Sequence, residues 1–228
     1  MKNLLYTTIA VLTFALCGNH AQATVQIDLQ IGGIYQSDGT TKVPIGSIGV
    51  LVASTTDSSF LATNTATSSS LAGTTLSVGS FLGGSDDMIV KVLTAKAFTG
   101  TSDNGFSDVS TYTLTGNWNA GDALAIYWFP TITTAGSTVQ NGTSFGFFTS
   151  STFDSSVGGS SALVTPSDSS SVNMYYFTQS VTGQPSTVSA SQLSATQTVT
   201  AVPEPSTFAL VGLGMGFAGW MARRNKKA

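Results

Sequence analysis

The chain has 228 residues, 8% of them charged and 41% apolar, with 66 serines and threonines and a formal net charge of −3. Ordinary soluble domains carry roughly 25% charged residues, so this composition excludes a disordered polyelectrolyte, and its acidic balance excludes a phosphate-binding surface of the nucleic-acid type. Cys17 and His20 are the only cysteine and histidine; both precede the expected mature start, which removes zinc sites, thiol nucleophiles, histidine triads and disulfides from the mature chain.

Lys2 precedes a predominantly apolar run over residues 4–17, and Ala21-Gln22-Ala23 follows as an A-x-A signal. The pattern predicts a secretory signal peptide over residues 1–23, cut after Ala23, with Ala21 and Ala23 as the small residues the peptidase reads. The alternatives are retention as an anchor and lipidation of Cys17, for which Leu16 is a poor small-residue neighbour. In an oxidising compartment without cysteines, the exported domain has to be held by a packed core.

Residues 24–178 read as a β-rich exported domain. Val25, Ile27, Leu29 and Ile31 alternate with Gln26, Asp28 and Gln30, the pattern of a strand with one face in a core. Short runs at 45–53, 88–95, 110–114, 123–129, 144–149 and 173–178 predict further strands. Turn signals at Asp38-Gly39, Gly83-Gly84, Asn104-Gly105, Gly121-Asp122, Asn141-Gly142 and Gly158-Gly159 separate them. Helical periodicity never extends over ten residues, although 58–71 and 85–97 have room for a short turn. The expected class is all-β, an antiparallel β-sandwich or jelly roll. Ten aspartates against Lys42, Lys91 and Lys96 between residues 24 and 201 argue against nucleic acid and anionic membrane surfaces as partners.

The densest aromatic run, residues 123–130, holds Tyr127 and Trp128 on opposite faces of a strand, which predicts a core set and a rim set. Tyr127, Trp128 and the loop residue Trp118 are the candidates for stacking on sugar rings. Asp86-Asp87 and Asp103 with Asp108 are candidate calcium oxygens, yet neither pair supplies the six to eight ligands calcium takes. The simpler expectation is Asx turns and no cofactor. No aspartate pair is singled out as a glycosidase couple, so an Asp-based polysaccharide hydrolase is the weakest functional reading. The Asn141-Gly142-Thr143 sequon reads better as a turn.

Residues 179–201 are Ser, Thr, Gln and Val with Pro185 and no aromatic side chain, a composition that predicts an exposed stalk. Then come Pro203-Glu204-Pro205, an apolar run over 208–222, and Arg223, Arg224, Lys226 and Lys227. Fifteen helical residues rise about 22 Å, against a hydrocarbon core of roughly 30 Å, so the run predicts a short membrane helix with its basic end on the cytoplasmic side. This order resembles the PEP-CTERM sorting signal of Gram-negative bacteria, with Pro203, Glu204, Pro205, Arg223 and Arg224 at the motif positions. The resemblance covers residues 202–228 and implies export through the Sec machinery, recognition by a membrane exosortase, at least transient membrane contact, and delivery to the cell envelope or extracellular matrix. Substrates of that system are frequently Ser/Thr-rich and associated with exopolysaccharide or biofilm. The resulting expectation is a non-enzymatic surface or matrix protein that associates with exopolysaccharide or other surface proteins; the alternative is a carbohydrate-binding module.

Overall fold

In a computed structural model of the protein, residues 22–57, 59–60, 68–83, 86–98, 103–150, 162–179 and 188–200 are described. The alternation at Val25–Ile31 forms β1 (Thr24–Gly32), with Val25, Ile27, Leu29 and Ile31 buried and Gln26 exposed. Chain order continues with β2 (Ile48–Ser54), β3 (Asp87–Thr94), β4 (Lys96–Ala97), β5 (Asn104–Thr113), β6 (Leu124–Phe129), β7 (Ser144–Phe148), β8 (Ser171–Phe177) and β9 (Gln197–Thr198). These strands form two sheets, ordered β4-β5-β1-β8 and β3-β2-β6-β7-β9. Ile27, Leu29, Phe106 and Met174 of the first share one hydrophobic cluster with Leu51, Ile126, Trp128 and Phe148 of the second. The fold is thus the expected all-β sandwich.

Among the described strands, β1 and β8 depart from antiparallel pairing and run parallel from Gln26↔Ser171 to Gly32↔Phe177, and the isolated bridge Tyr35↔Ser194 is parallel as well. The connection from β7 to β8 changes sheets, so no tight hairpin constrains the direction of β8.

The second sheet is covered on both faces. Every residue of β2 and β6 is buried. Ile48, Val50, Val52, Tyr127, Phe129 and Phe145 point away from the first sheet and meet Phe60, Leu71, Leu76, Leu82, Val139 and Val199. The covering segments hold each other through Gly73 N–H to Val139 O at 2.9 Å, Leu76 N–H to Ser137 O at 2.9 Å and Gly136 N–H to Leu76 O at 3.0 Å. On the inner face, Trp128 lies between Gly49 and Gly146 in the strand register. A Cβ on Gly146 would stand 2.0 Å from the Trp128 ring, so this glycine is the space the indole fills.

Several local expectations need correction. Asn104-Gly105 is not a turn but the start of β5, which begins well before the expected residue 110. Gly105 crosses Gly32 there, and a Cβ on it would lie 1.9 Å from the Ile31 carbonyl. Alternation failed along this strand because Asp108 and Ser110 occupy the inward rows, opposite Leu29 and Ile27. Residues 85–97 hold β3 and β4 rather than a helical turn, whereas the 58–71 stretch ends in a 3-10 turn at Ser68–Leu71. The exposed stalk is also overturned for residues 188–200: Leu193, Ala195 and Val199 are buried and β9 pairs with β7. Average polarity concealed the three apolar side chains that dock it. Residues 202–228 and their expected helix lie outside the described residues. Among the described residues no helix is long and apolar enough to cross a membrane.

Candidate functional site

The aromatic candidates are interior. Trp118 follows a turn in which its N–H bonds Thr115 O; its indole donates to Thr165 Oγ1 at 2.7 Å and packs edge-on against Tyr112 at 5.7 Å. Trp128 donates Nε1–H to Tyr35 O at 3.3 Å, and Tyr127 packs against Phe147 at 4.9 Å on the opposite face of β6. Their exposures are 4%, 0% and 0% for Trp118, Tyr127 and Trp128. A ring without an accessible face cannot stack on a sugar, so the expected platform is corrected at all three positions. The loop layer over the second sheet is what covers the set expected at a rim.

The aspartates are dispersed. Asp103 is buried beside Lys42, whose Nζ stands 3.0 Å from Oδ1. Asp103 immediately precedes β5, and Asp108 lies five residues on within that strand, about 17 Å away at the rise of an extended chain. Asp86 precedes β3 and comes beside Asp57, a residue that composition had not singled out, while Asp87 is buried at the head of β3. Among the described residues no three acidic, cysteine or histidine side chains converge in a metal-binding group.

The most developed polar cluster sits at the edge where β3 faces β5. Lys91 projects inward from β3, donates to Ser110 Oγ at 2.8 Å and pairs with Asp108 Oδ1 at 3.1 Å. Tyr112 donates its hydroxyl to Asp108 Oδ2 at 2.9 Å. Partial burial opposes ionisation of Asp108, but hydrogen bonds from Ser110, Tyr112 and Lys91, with the ammonium charge, outweigh it and hold the carboxyl below its ordinary range. Burial, with the neighbouring carboxylate, pushes the Tyr112 phenol up. An inward lysine on an edge strand resists pairing with another sheet, and here it ties β3 to β5 across the two sheets. The signal for it was a single charge inside the apolar run Met88-Ile89-Val90-Lys91-Val92-Leu93.

The outer face of the first sheet is polar and partly exposed along β1 and β8, with Phe177 buried under Phe98 at one end. Gln26, Asp28 and Gln30 of β1 stand in rows with Ser171, Asn173 and Tyr175 of β8. Tyr175 donates its hydroxyl to Asp28, and Gln30 Nε2 donates to Asp28 Oδ1 at 3.2 Å. Burial, then the Asp28 carboxylate, pushes the Tyr175 phenol up to about 12.

At the ends of the domain, Ala23 O accepts from Leu114 N at 2.8 Å, and Thr24 N–H donates to Asp168 Oδ1 at 2.8 Å. Ala21 and the motif residues Pro203, Glu204, Pro205, Arg223 and Arg224 lie outside the described residues. β9 brings the chain to within a few residues of that motif along the edge of β7. A groove of about 270 Å³ opens beside it, lined by Phe147, Thr149, Ser191, Gln192 and Ser194 among others.

Residues 201–227 match the PEP-CTERM protein-sorting motif. No curated protein and no solved structure matches the chain.

Proposed function

Because the chain carries a PEP-CTERM motif, which marks a bacterial protein exported to the cell envelope or surface and processed by an exosortase, we propose that it is a non-enzymatic surface or matrix protein of a Gram-negative cell. The Sec machinery exports it with loss of residues 1–23, the exosortase acts near Pro203-Glu204-Pro205, and the β-sandwich associates with exopolysaccharide or other surface proteins. The motif match over residues 201–227 carries this reading. The engagement of the carboxylates supports the non-enzymatic part: Asp28 accepts from Tyr175, Asp108 from Tyr112, Asp122 from Asn119 N–H and Asp168 from Thr24 N–H. Such bonds fix loops and strands, and these four carboxylates sit apart rather than facing one another as the acid and base of a glycosidase do. The reading assigns no cofactor. Intact mass of the protein from the host's membrane and extracellular fractions tests it. The expected product lacks residues 1–23 and the tail beyond the Pro-Glu-Pro element; a chain that keeps residues 206–228 in the membrane fraction alone overturns the sorting part.

One observation favours the carbohydrate-binding alternative, on residues other than the buried aromatics. The outer face of the first sheet aligns the amides of Gln26, Gln30 and Asn173 with Asp28 and the Tyr175 ring, a set able to bond vicinal hydroxyls and stack one sugar. Saturable glycan binding lost in Tyr175→Ala with folding intact supports this alternative; no selective binding across a broad glycan panel removes it.

A further inference from the structure

The C-terminal segment is docked almost up to the residues the exosortase must read. Val199 is buried, donates its N–H to Thr143 O at 2.9 Å and accepts from Gly142 N at 2.8 Å. Just before it, Gln197 and Thr198 pair with Phe145 and Ser144. Farther back, Tyr35 donates to Leu193 O at 2.8 Å and accepts from Ala195 N at 3.0 Å, with Leu193 and Ala195 buried in the inter-sheet core. Only Thr200, Ala201 and Val202 separate Val199 from Pro203, a reach of at most about 14 Å for a fully extended chain. A protease takes its substrate as an extended segment, and in a folded chain it waits for local opening. The chain is therefore already held from four residues before Pro203 backwards, Val199 by Gly142 and Thr143 and Thr198 by Ser144 of β7.

We propose that residues 188–200 form a latch, which rests on the sorting reading above: docked on β7 and Tyr35 it withholds the Pro-Glu-Pro element, and undocked it hands the element to the exosortase. The edge is built for such release. β9 has two residues, and the groove beside it leaves the latch incompletely packed against Phe147 and Thr149. Short edge elements with few bonds open at the low end of a domain's local stabilities. The ladders that join β1 to β5 and β2 to β6 include no residue of 188–200, so release breaks neither.

The test exploits a mature chain without cysteines. Ser144 and Thr198 are register partners in an antiparallel ladder, where Cα separations suit a disulfide. Full-length Ser144→Cys/Thr198→Cys is expressed in a host with an active exosortase, each single variant serves as the folding control, and bond formation is checked by non-reducing mass spectrometry. Loss of the C-terminal tail is followed by gel mobility and mass. The expected result is tail removal slowed at least about tenfold in the bridged protein, as for cleavage that follows local opening. Thiol reductant restores it. About ten Gly/Ser residues inserted after Thr200, spanning roughly 30 Å, restore it without reductant. Tail removal at the wild-type rate in the bridged protein overturns the latch, as does a block that the insertion fails to relieve. A wild-type chain that never loses its tail defeats the sorting reading itself, an outcome distinct from failure of the latch.

Discussion

The two sheets solve burial differently. The first presents β1 with buried odd residues and exposed or half-buried even ones from Thr24 to Ile31, so the strand announces itself by alternation. In the second, β2 reads Ile-Gly-Val-Leu-Val-Ala-Ser and β6 Leu-Ala-Ile-Tyr-Trp-Phe, buried at every position. A strand covered on both faces has no reason to alternate. Here the second cover is a layer of loops anchored by Phe60, Leu71, Leu76, Leu82 and Val139. The difference teaches that an unbroken apolar run in a β-sheet calls for a third layer, here supplied among the described residues by loops and the single 3-10 turn Ser68–Leu71.

The largest test of this contrast uses adjacent residues of β6. Trp128 faces the inter-sheet core and Phe129 the loop layer. Trp128→Ala and Phe129→Ala are each expected to cost about 3–5 kcal/mol, the usual range for emptying an aromatic site in a core. Urea denaturation measures both. A cost below about 1 kcal/mol for Phe129→Ala, in the range of surface changes, would mean that the loop layer does not seal the second face.

The first sheet predicts the opposite behaviour for neighbours. Leu29→Ala is expected to cost about 2–5 kcal/mol, and Gln30→Ala to stay within about 0.5 kcal/mol, because one fills the core and the other lies on the outer face. Comparable losses at both positions would show that the outer face is also packed against something.

Where sequence reading succeeded and failed follows the same line. β1, β2, β3, β6, β7 and β8 were legible because their apolar residues either alternate or run together between turn signals. β5 was legible only at its end, since Asp108 and Ser110 take inward places that an alternation rule reserves for apolar groups. Their partner Lys91 lies in another sheet, and such pairing is invisible along the chain. The aromatic site was misplaced for a related reason: period two correctly separated Tyr127 from Trp128, but the rule carries no information about a loop layer arriving from residues 59–82. The docked segment 188–200 was hidden because its few, scattered apolar residues, of which Leu193, Ala195 and Val199 are buried, lie among serines, threonines and glutamines that leave its composition polar. The C-terminal sorting motif was fully legible, being a linear signal read by order rather than by packing.

The polar edge between the sheets gives a pH test. Asp108 has its carboxyl lowered in the folded protein, so its contribution is present above the unfolded value of about 3.9 and is lost as pH falls through the lower folded value. Asp108→Asn should be the less stable protein at neutral pH, because Lys91 loses its carboxylate. The wild-type and variant stability curves should then converge as pH falls below about 4. Parallel thermal-melting curves from pH 7 to pH 2 would assign the acid sensitivity to other groups.

The smallest effect sharpens the contrast most, because it applies one chemical change to the outward faces of both sheets. Val109 lies on the outer face of β5 opposite Asp28 and is 59% exposed, whereas Val50 lies on the outward face of β2 and is 0% exposed. Threonine keeps the branched shape that suits a strand and replaces a methyl by a hydroxyl. At residue 109 that hydroxyl meets water, so Val109→Thr should change stability by less than about 0.5 kcal/mol. At residue 50 it enters a cluster of Val52, Tyr127, Phe129 and Leu76, where an unpaired polar group costs about 1–3 kcal/mol. Equal values from chemical denaturation would mean that water reaches the outward face of the second sheet as freely as that of the first. The loop layer would then be a loose cover rather than the third wall of the domain.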